Sequence, residues 1–190
     1  MRAIASRLKR GLVDIYWLFR GPCIHVPRPP SDPRSVLFVC KGNICRSPFA
    51  EYFANKLVKE GVLGQIKFGS AGLHVRRPLP SPDNAIEVAK RFGVDLEDHR
   101  SQPISSDLVE SYDMIVAMEV WQYAELRSSF PIHREKMFLL PLLFHNGMGG
   151  KQGYAAYNIP DPYGGPANAF KACFDRLSGS IEEWAVMAKR

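Results

Sequence analysis

Cysteine is scarce in this 190-residue sequence, which contains only Cys23, Cys40, Cys45 and Cys173. Four cysteines are too few for a disulfide scaffold in a chain of this length, and no CxxC motif with a second ligand pair suggests structural zinc. We therefore expect a reducing, cytoplasmic setting and neither a metal nor another cofactor.

Long apolar runs are also lacking. No segment approaches the ~20 uninterrupted apolar residues of a membrane span. The early run GLVDIYWLF contains Asp14, is followed directly by Arg20 and precedes no small-residue cleavage site, so it does not resemble a secretory signal. The composition, 46% hydrophobic and 23% charged, is that of a globular protein, and the length suits one catalytic domain with a short appendage.

Acidic residues are few at the start of the chain. The net charge is +6, and residues 1–34 hold seven Lys/Arg against Asp14 and Asp32, which is +5 and leaves +1 for residues 35–190. A basic appendage on a nearly neutral domain differs from a basic binding face, so we expect no nucleic-acid partner.

The appendage itself has two parts. Five prolines between Gly21 and Arg34 exclude a helix interior or a central strand there and indicate a linker. Before it, apolar residues at helical spacing predict an amphipathic basic helix over residues 1–20: Met1, Ile4, Leu8, Leu12, Ile15 and Phe19. Its apolar stripe would dock on this protein's own domain, on a second copy or on an anionic membrane. We predict an extension at 1–34 and a catalytic domain at 35–190.

Strand-like and helical patterns alternate in the domain. The sequence predicts strands at 35–40, 65–72, 113–119 and 136–143, helices near 47–61, 83–92, 120–129 and 167–189, and a loop at 146–154. Such alternation is typical of βαβ units. We therefore expect an α/β fold, with a parallel twisted sheet of about four strands and helices on both faces.

The first strand leads into a motif, CKGNICRSP, at residues 40–48. Gly42 can adopt positive φ and Asn43 tolerates it, so the turn can direct its backbone N–H groups at an anion. Pro48 suits the first helical position, with Ser47 before it as the N-cap, and the helix N-terminus would also face the anion. Inward N–H dipoles and a guanidinium favour a thiolate, so we expect Cys40 to be a nucleophile.

Arg46 lies six residues after Cys40. Its planar fork can bind two phosphate oxygens, which a lysine could not do equally well. Cys-x5-Arg alone is a weak pattern, and the bland alternative is that Cys40 is simply a buried strand residue. The strand, glycine turn and helix around it favour the catalytic interpretation.

CKGNICRSP resembles the signature of low-molecular-weight protein tyrosine phosphatases, and the resemblance covers about residues 35–190. It implies a protein tyrosine phosphatase in which Cys40 attacks phosphorus, Arg46 holds the phosphoryl group and Ser47 hydrogen-bonds the thiolate. The resemblance also suggests a protective Cys40–Cys45 disulfide, whereas Cys45 could equally be core filler. The phosphate-binding loop would comprise Cys40 to Ser47, including Lys41, Gly42, Asn43, Ile44 and Cys45.

The same resemblance assigns residues outside the loop. Asp161 in IPDPYGG matches the family's late DP motif and would be the general acid and base, although Asp-Pro alone is a common turn. SAG at 70–72 and DHRSQ at 98–102 resemble segments whose serine and histidine, here Ser70 and His99, support the loop through Asn43. A strand-end hydroxyl and a satisfied surface histidine are the alternatives.

Substrate preference is also suggested by the loop. A relative of this fold specialised for phosphoarginine carries threonine where this chain has Ile44, and a bulky apolar residue there suits an aryl phosphate. Tyr163 would form a second wall, or is a partly buried surface tyrosine. Lys41 departs from the apolar residue frequent at its position, and Glu119 replaces the aspartate usual after Met118, so both leave the pocket's details open.

Two rival functions remain: an arsenate reductase of the same fold and a non-catalytic phosphotyrosine-binding module. The first requires additional redox cysteines, and none lies between Cys45 and Cys173. The retained nucleophile, clamp and acid argue against the second. The resemblance further suggests a phosphotyrosine protein as partner, with a bacterial tyrosine kinase of polysaccharide export as the favoured candidate.

Overall fold

The computed structural model describes residues 29–143 and 153–187 and, before them, residues 15, 16, 19, 24, 26 and 27. Most of the predicted helix over 1–20 and of the predicted loop at 146–154 lies outside the described residues. Ile15 and Phe19 of the apolar stripe are 54% and 68% exposed. Ile24 and Val26 of the linker pack on the domain's apolar core.

Four parallel strands form the sheet, and their order is β2-β1-β3-β4. They are β1 (Ser35–Cys40), β2 (Lys67–Gly72), β3 (Met114–Ala117) and β4 (Met137–Leu139). The helices are α1 (Arg46–Lys59), α2 (Asp83–Lys90), α3 (Ser106–Ser111), α4 (Val120–Ser129), α5 (Leu140–Leu143), α6 (Tyr154–Tyr157) and α7 (Ala167–Met187), with a 3-10 helix at Pro131–Lys136. The predicted α/β class and the four parallel strands are confirmed.

Helices cover both faces of the sheet. β1 is buried along its whole length, as a parallel strand covered on both faces requires. Val36 and Phe38 point into the core layer formed with α1, α2 and α7, whereas Leu37 and Val39 point into the layer formed with α3 and α4. Stacked rings join α1 to α7, because the centroids of Phe49 and Phe174 lie 3.9 Å apart with an interplanar angle of 5°.

Several predicted boundaries were wrong. The segment predicted as a strand over 136–143 is a three-residue strand followed by α5, since Pro141 has no N–H with which to continue a ladder. α1 begins at Arg46, so Pro48 is its third residue rather than its first, and Ser47 is not its N-cap. Proline is still tolerated there because N–H groups of the first turn lack intrahelical partners.

The short helix α3 was not predicted. Ser105 caps it, since its side chain accepts a hydrogen bond from the backbone N–H of Leu108. In the described part of the chain no helix is both long enough and apolar enough to cross a membrane.

Candidate active site

The site lies where β1 ends and α1 begins, at the carboxyl edge of the parallel sheet, where open α/β sheets bind ligands. Residues 41–45 form the loop between them. Asn43 adopts positive φ, +51°, whereas Gly42 does not. The left-handed residue is therefore the asparagine, whose side chain can compensate for the backbone strain by its hydrogen bonds.

The last residue of β2 lies directly against this loop. A Cβ added to Gly72 would lie 2.9 Å from the backbone nitrogen of Asn43 and 2.6 Å from Cγ2 of Val75. Only glycine allows such a close approach without displacing the loop. The sheet therefore fixes the position of the loop from the side of β2.

Cys40 is the last residue of β1 and is 3% exposed. Its Sγ lies 3.1 Å from Oγ of Ser47 and accepts a hydrogen bond from the backbone N–H of Asn43 at 3.3 Å. The Ser47 hydroxyl, which the sequence predicted to cap α1, instead faces the sulfur. The sulfur thus lies at the end of the strand among polar groups of the loop and of α1, a position that suits a nucleophile.

Arg46 is 1% exposed and has acidic partners on two sides. Its Nη1 donates to Oε2 of Glu119 at 2.5 Å and to the backbone oxygen of Ile159 at 3.0 Å. Its Nη2 lies 2.9 Å from Oδ2 of Asp161. The guanidinium is thus fixed from the β3 side by Glu119 and contacts Asp161 on its other side.

One donor of Arg46 is left over. Its Nε is buried and has no hydrogen-bond partner among the described residues. Burial lowers the pKa of the guanidinium, but the anionic forms of Cys40, Asp161 and Glu119 more than offset this, and the net shift of the pKa is upward. A buried donor without a partner is costly, and an oxyanion above Cys40 would satisfy it.

Asn43 is the centre of a buried network below the loop. Its Nδ2 donates to Oγ of Ser47 at 2.9 Å and to Oγ of Ser70 at 2.8 Å. Its backbone oxygen accepts from Nε2 of His99 at 2.7 Å, and its Oδ1 accepts from the backbone N–H of Gln102 at 2.9 Å. These contacts restrain the left-handed residue from several sides.

The network contains two titratable groups. Burial lowers the pKa of His99 below its usual 6.5, and the contact with Asn43 opposes this shift. The neutral ring, with hydrogen on Nε2, suits a bond to a carbonyl oxygen. Ser70 Oγ donates to Oε2 of Glu51 at 2.6 Å, and burial raises the pKa of that carboxyl.

Asp161 lies at the mouth of the site, where its side chain is 38% exposed. Its Oδ1 accepts a hydrogen bond from the backbone N–H of Tyr163 at 3.2 Å, an Asx-type contact that orients the carboxylate. The same carboxylate contacts Arg46, so the structure brings the Asp-Pro segment beside the cysteine loop.

A cleft of about 500 Å³ opens from the loop. Cys40, Gly42 and Arg46 line it, together with the apolar side chain of Ile44 and the ring of Tyr163. Tyr163 is 65% exposed. Apolar side chains above an anion-binding loop provide the surroundings that an aryl phosphate needs.

The other cysteines are also buried thiols. Cys45 is 2% exposed, and burial and the nearby Cys40 raise its pKa far above the usual value. Burial raises the pKa of Cys173 to about 12. Both are therefore poor thiolates. No cluster of three or more His, Cys, Asp or Glu side chains suited to a metal occurs in the described ranges.

Glu119 is the functional residue that sequence reasoning missed. It directly follows Met118, next to the end of β3, is 6% exposed and accepts from Arg46, Gln122 and Tyr154. In the sequence, Glu119 was notable only because the family usually has aspartate after the methionine. Its position was the available signal, because β3 neighbours β1 and the carboxyl ends of neighbouring parallel strands meet at one edge.

Comparison with known proteins agrees with this geometry. The family model described as low molecular weight phosphotyrosine protein phosphatase matches residues 35–190. The low molecular weight protein-tyrosine-phosphatase Etp of Escherichia coli strain K12 is 34% identical over 156 residues, which cover 82% of this chain and 95% of Etp.

Solved structures are similar as well. Vibrio vulnificus Wzb in complex with benzylphosphonate has a TM-score of 0.69 and 31% identity, covering 80% of this chain and 97% of that one. The YwlE arginine phosphatase from Geobacillus stearothermophilus has a TM-score of 0.69 and 27% identity, covering 81% of this chain and 92% of that one.

Proposed function

Because the chain belongs to the low-molecular-weight protein-tyrosine-phosphatase family, we propose that it hydrolyses phosphotyrosine in proteins through a phosphocysteine intermediate. One observation carries the proposal. The Cys40 sulfur lies in a loop whose buried arginine has a donor without a partner, and Asp161 lies beside that arginine. The residues that we propose as nucleophile, oxyanion clamp and proton donor therefore line one cleft.

In the proposed reaction, the Cys40 thiolate attacks phosphorus and the bond from phosphorus to the phenolic oxygen breaks. Nε and Nη2 of Arg46 and the loop N–H groups hold the phosphoryl oxygens as charge develops on them. Asp161 donates a proton to the departing phenolate and then takes one from the water that attacks the phosphocysteine. The Ser47 hydroxyl stabilises the thiolate when it leaves again.

The aryl preference rests on Ile44 of the loop and on Tyr163, both of which line the cleft. The similarity to an arginine phosphatase makes phosphoarginine the substrate to compare. A flat aromatic ring buries apolar surface against the aliphatic side chain of Ile44, whereas a charged guanidinium loses hydration there. We therefore propose phosphotyrosine as the preferred substrate.

Arsenate reduction is the weaker alternative. It requires a resolving thiolate that can reach an oxidised Cys40, and such a thiolate must be accessible and acidic. Cys173 is buried, with a pKa raised to about 12. The described cysteines therefore do not suit a redox relay.

For the physiological setting, we take the cytoplasm as the compartment and a bacterial tyrosine kinase of polysaccharide export as the candidate substrate protein. The resemblance to bacterial phosphatases supports this choice. Incubating the phosphorylated kinase with the purified chain would test it, and retention of all its phosphotyrosine would exclude this partner.

The test of the activity compares phosphotyrosine, phosphoserine and phosphoarginine peptides with chelator present. We expect the fastest turnover on phosphotyrosine, and we expect EDTA to leave it unchanged because Arg46 and the loop supply the charge stabilisation. Cys40→Ser should abolish turnover but retain phosphate binding. Substantial turnover by a verified Cys40→Ser protein would contradict the nucleophile, and faster turnover on phosphoarginine would contradict the substrate class.

A further inference from the structure

The outer side of the cleft is basic. Lys41, Arg76 and Arg77 line it and are exposed, and we call these three residues the basic rim. None of them has a carboxylate within salt-bridge distance in the parts of the chain that the structure describes. The one acidic residue among those lining the cleft, Asp161, contacts Arg46 instead.

This concentration of charge is local. Residues 35–190 carry a net charge of only +1, so the domain as a whole does not attract anions strongly. Three cations beside one opening therefore create a potential specific to the cleft.

The rim is built on an anchored backbone. At one end of its segment, the N–H groups of Leu73 and His74 donate to the backbone oxygens of Cys40 and Lys41 at 3.0 and 2.8 Å. At the other end, Leu79 and Ser101 exchange two hydrogen bonds of 2.9 Å. Arg76 and Arg77 lie between these two anchored ends.

A neighbouring basic side chain has an acidic partner. His74 lies beside Arg76 and Arg77 in the sequence, and its Nε2 is 2.8 Å from Oε1 of Glu125. Arg76 and Arg77, which line the same cleft, have no such acidic partner among the described residues.

We propose that the basic rim binds acidic side chains flanking the phosphotyrosine, so that the enzyme's substrate class is the acidic phosphopeptide. This inference rests on the proposed function. A phosphotyrosine seated over Cys40 leaves its flanking residues at the outer cleft, and guanidinium forks bind carboxylates with two parallel hydrogen bonds. Specificity would come from the substrate's flanks as well as from its ring.

The test uses three phosphotyrosine peptides that differ only in their flanking positions, which carry glutamate, glutamine or phosphoserine. Their affinities for Cys40→Ser protein are measured by fluorescence anisotropy, which requires no turnover. We expect the glutamate peptide to bind roughly 3- to 10-fold more tightly than the glutamine peptide, the range for two exposed ion pairs. High salt should reduce the advantage.

Arg76→Gln/Arg77→Gln should remove this advantage while leaving hydrolysis of 4-nitrophenyl phosphate by the Cys40 enzyme unchanged. The matched control, Lys59→Gln/Arg91→Gln, removes two exposed charges that do not line the cleft, and should retain the advantage. Equal binding of the glutamate and glutamine peptides, or an advantage that survives the rim substitutions, would overturn the proposal. A phosphoserine peptide that binds more than tenfold tighter than the glutamate peptide would overturn the assignment to carboxylates.

Failure of the proposed function would look different. The intact enzyme would then turn over none of the three peptides, while the ratio of affinities would still decide whether the rim recognises acidic flanks.

Discussion

Glu119→Gln isolates the charge of the carboxylate behind Arg46. In the native protein, Oε2 of Glu119 accepts from Arg46 at 2.5 Å and from Gln122 at 3.0 Å, and Oε1 accepts from the hydroxyl of Tyr154 at 3.0 Å. A glutamine can turn its oxygen toward the first two donors and its NH₂ toward the tyrosine hydroxyl. The contacts are thereby preserved and only the negative charge is lost.

The magnitude follows from what remains around Arg46. Removing one partner of a buried ion pair costs about 3–5 kcal/mol when the other charge is left uncompensated. Here Asp161 still lies 2.9 Å from Nη2, and the amide oxygen still accepts a hydrogen bond. We therefore expect a loss of about 1–3 kcal/mol in the free energy of unfolding. A 2 kcal/mol loss would lower the Tm by roughly 4–8 °C in a domain of this size.

The response of the Tm to phosphate distinguishes loss of the Glu119 charge from nonspecific destabilisation of the fold. The Glu119 carboxylate repels a bound phosphate, and without it Arg46, with Asp161 as its one remaining acidic partner among the described residues, attracts phosphate more strongly. Because a ligand that binds the folded state stabilises it, phosphate should raise the Tm of Glu119→Gln by more than that of the native protein. The assay is thermal unfolding with and without phosphate.

The control is Glu125→Gln, which alters an acid on α4 that is about one-third exposed and pairs with His74. Exposed pairs contribute about 0–1 kcal/mol, so its Tm should change little. The reasoning would be refuted if Glu119→Gln unfolded at the same temperature as this control. It would also be refuted if phosphate raised the Tm of Glu119→Gln and that of the native protein equally.

Three further predictions concern the acid, the loop support and the extension. Asp161→Asn should lower the rate on phosphotyrosine by ~10²–10⁴-fold; an equal loss with a highly acidic phenol as leaving group would make Asp161 structural. Burial lowers the pKa of His99 in the folded protein, so its contribution to stability is present above pH 6.5 and is lost as the pH falls toward the lower folded pKa. The free energy of unfolding, measured with urea from pH 7.5 to 5, should therefore depend less on pH in His99→Gln than in the native protein. An identical pH dependence in the two proteins would contradict this. A protein that lacks residues 1–33 should retain activity but lose some stability, since Ile24 and Val26 pack on the core. If the truncated protein were folded but inactive, the extension would shape the site. Sedimentation of the intact chain with anionic vesicles would test membrane contact.

Features that depend on neighbouring residues, such as the first strand and the cysteine loop, were predicted from the sequence. β1 is a continuous apolar run, as a doubly covered parallel strand requires, and the Cys40-to-Arg46 spacing lies within one strand-loop-helix unit. The prediction over 136–143 failed because an apolar run does not distinguish a strand from a buried helix. Only Pro141 indicated that the ladder stops.

Two partners of Arg46, Glu119 and the carbonyl of Ile159, were not predicted because they come from distant segments. Glu119 is 73 residues away in the sequence and the carbonyl of Ile159 is 113 residues away. The choice of Asn43 rather than Gly42 for the left-handed position also depends on distant groups, namely Ser70, His99 and Gln102. Such contacts follow from topology, which composition and periodicity leave undetermined.

The contact between Arg46 and Asp161 bears on the order of events in catalysis. Without substrate, Nη2 of Arg46 lies 2.9 Å from Oδ2 of Asp161. A bound phosphate would compete for Nη2, because its oxygens accept charge-assisted hydrogen bonds from a guanidinium. Substrate binding would thus release the Asp161 carboxyl from Arg46, so that it can turn to the leaving oxygen and then to the attacking water. Glu119 keeps Nη1 occupied throughout, so the guanidinium can exchange one partner without losing its orientation.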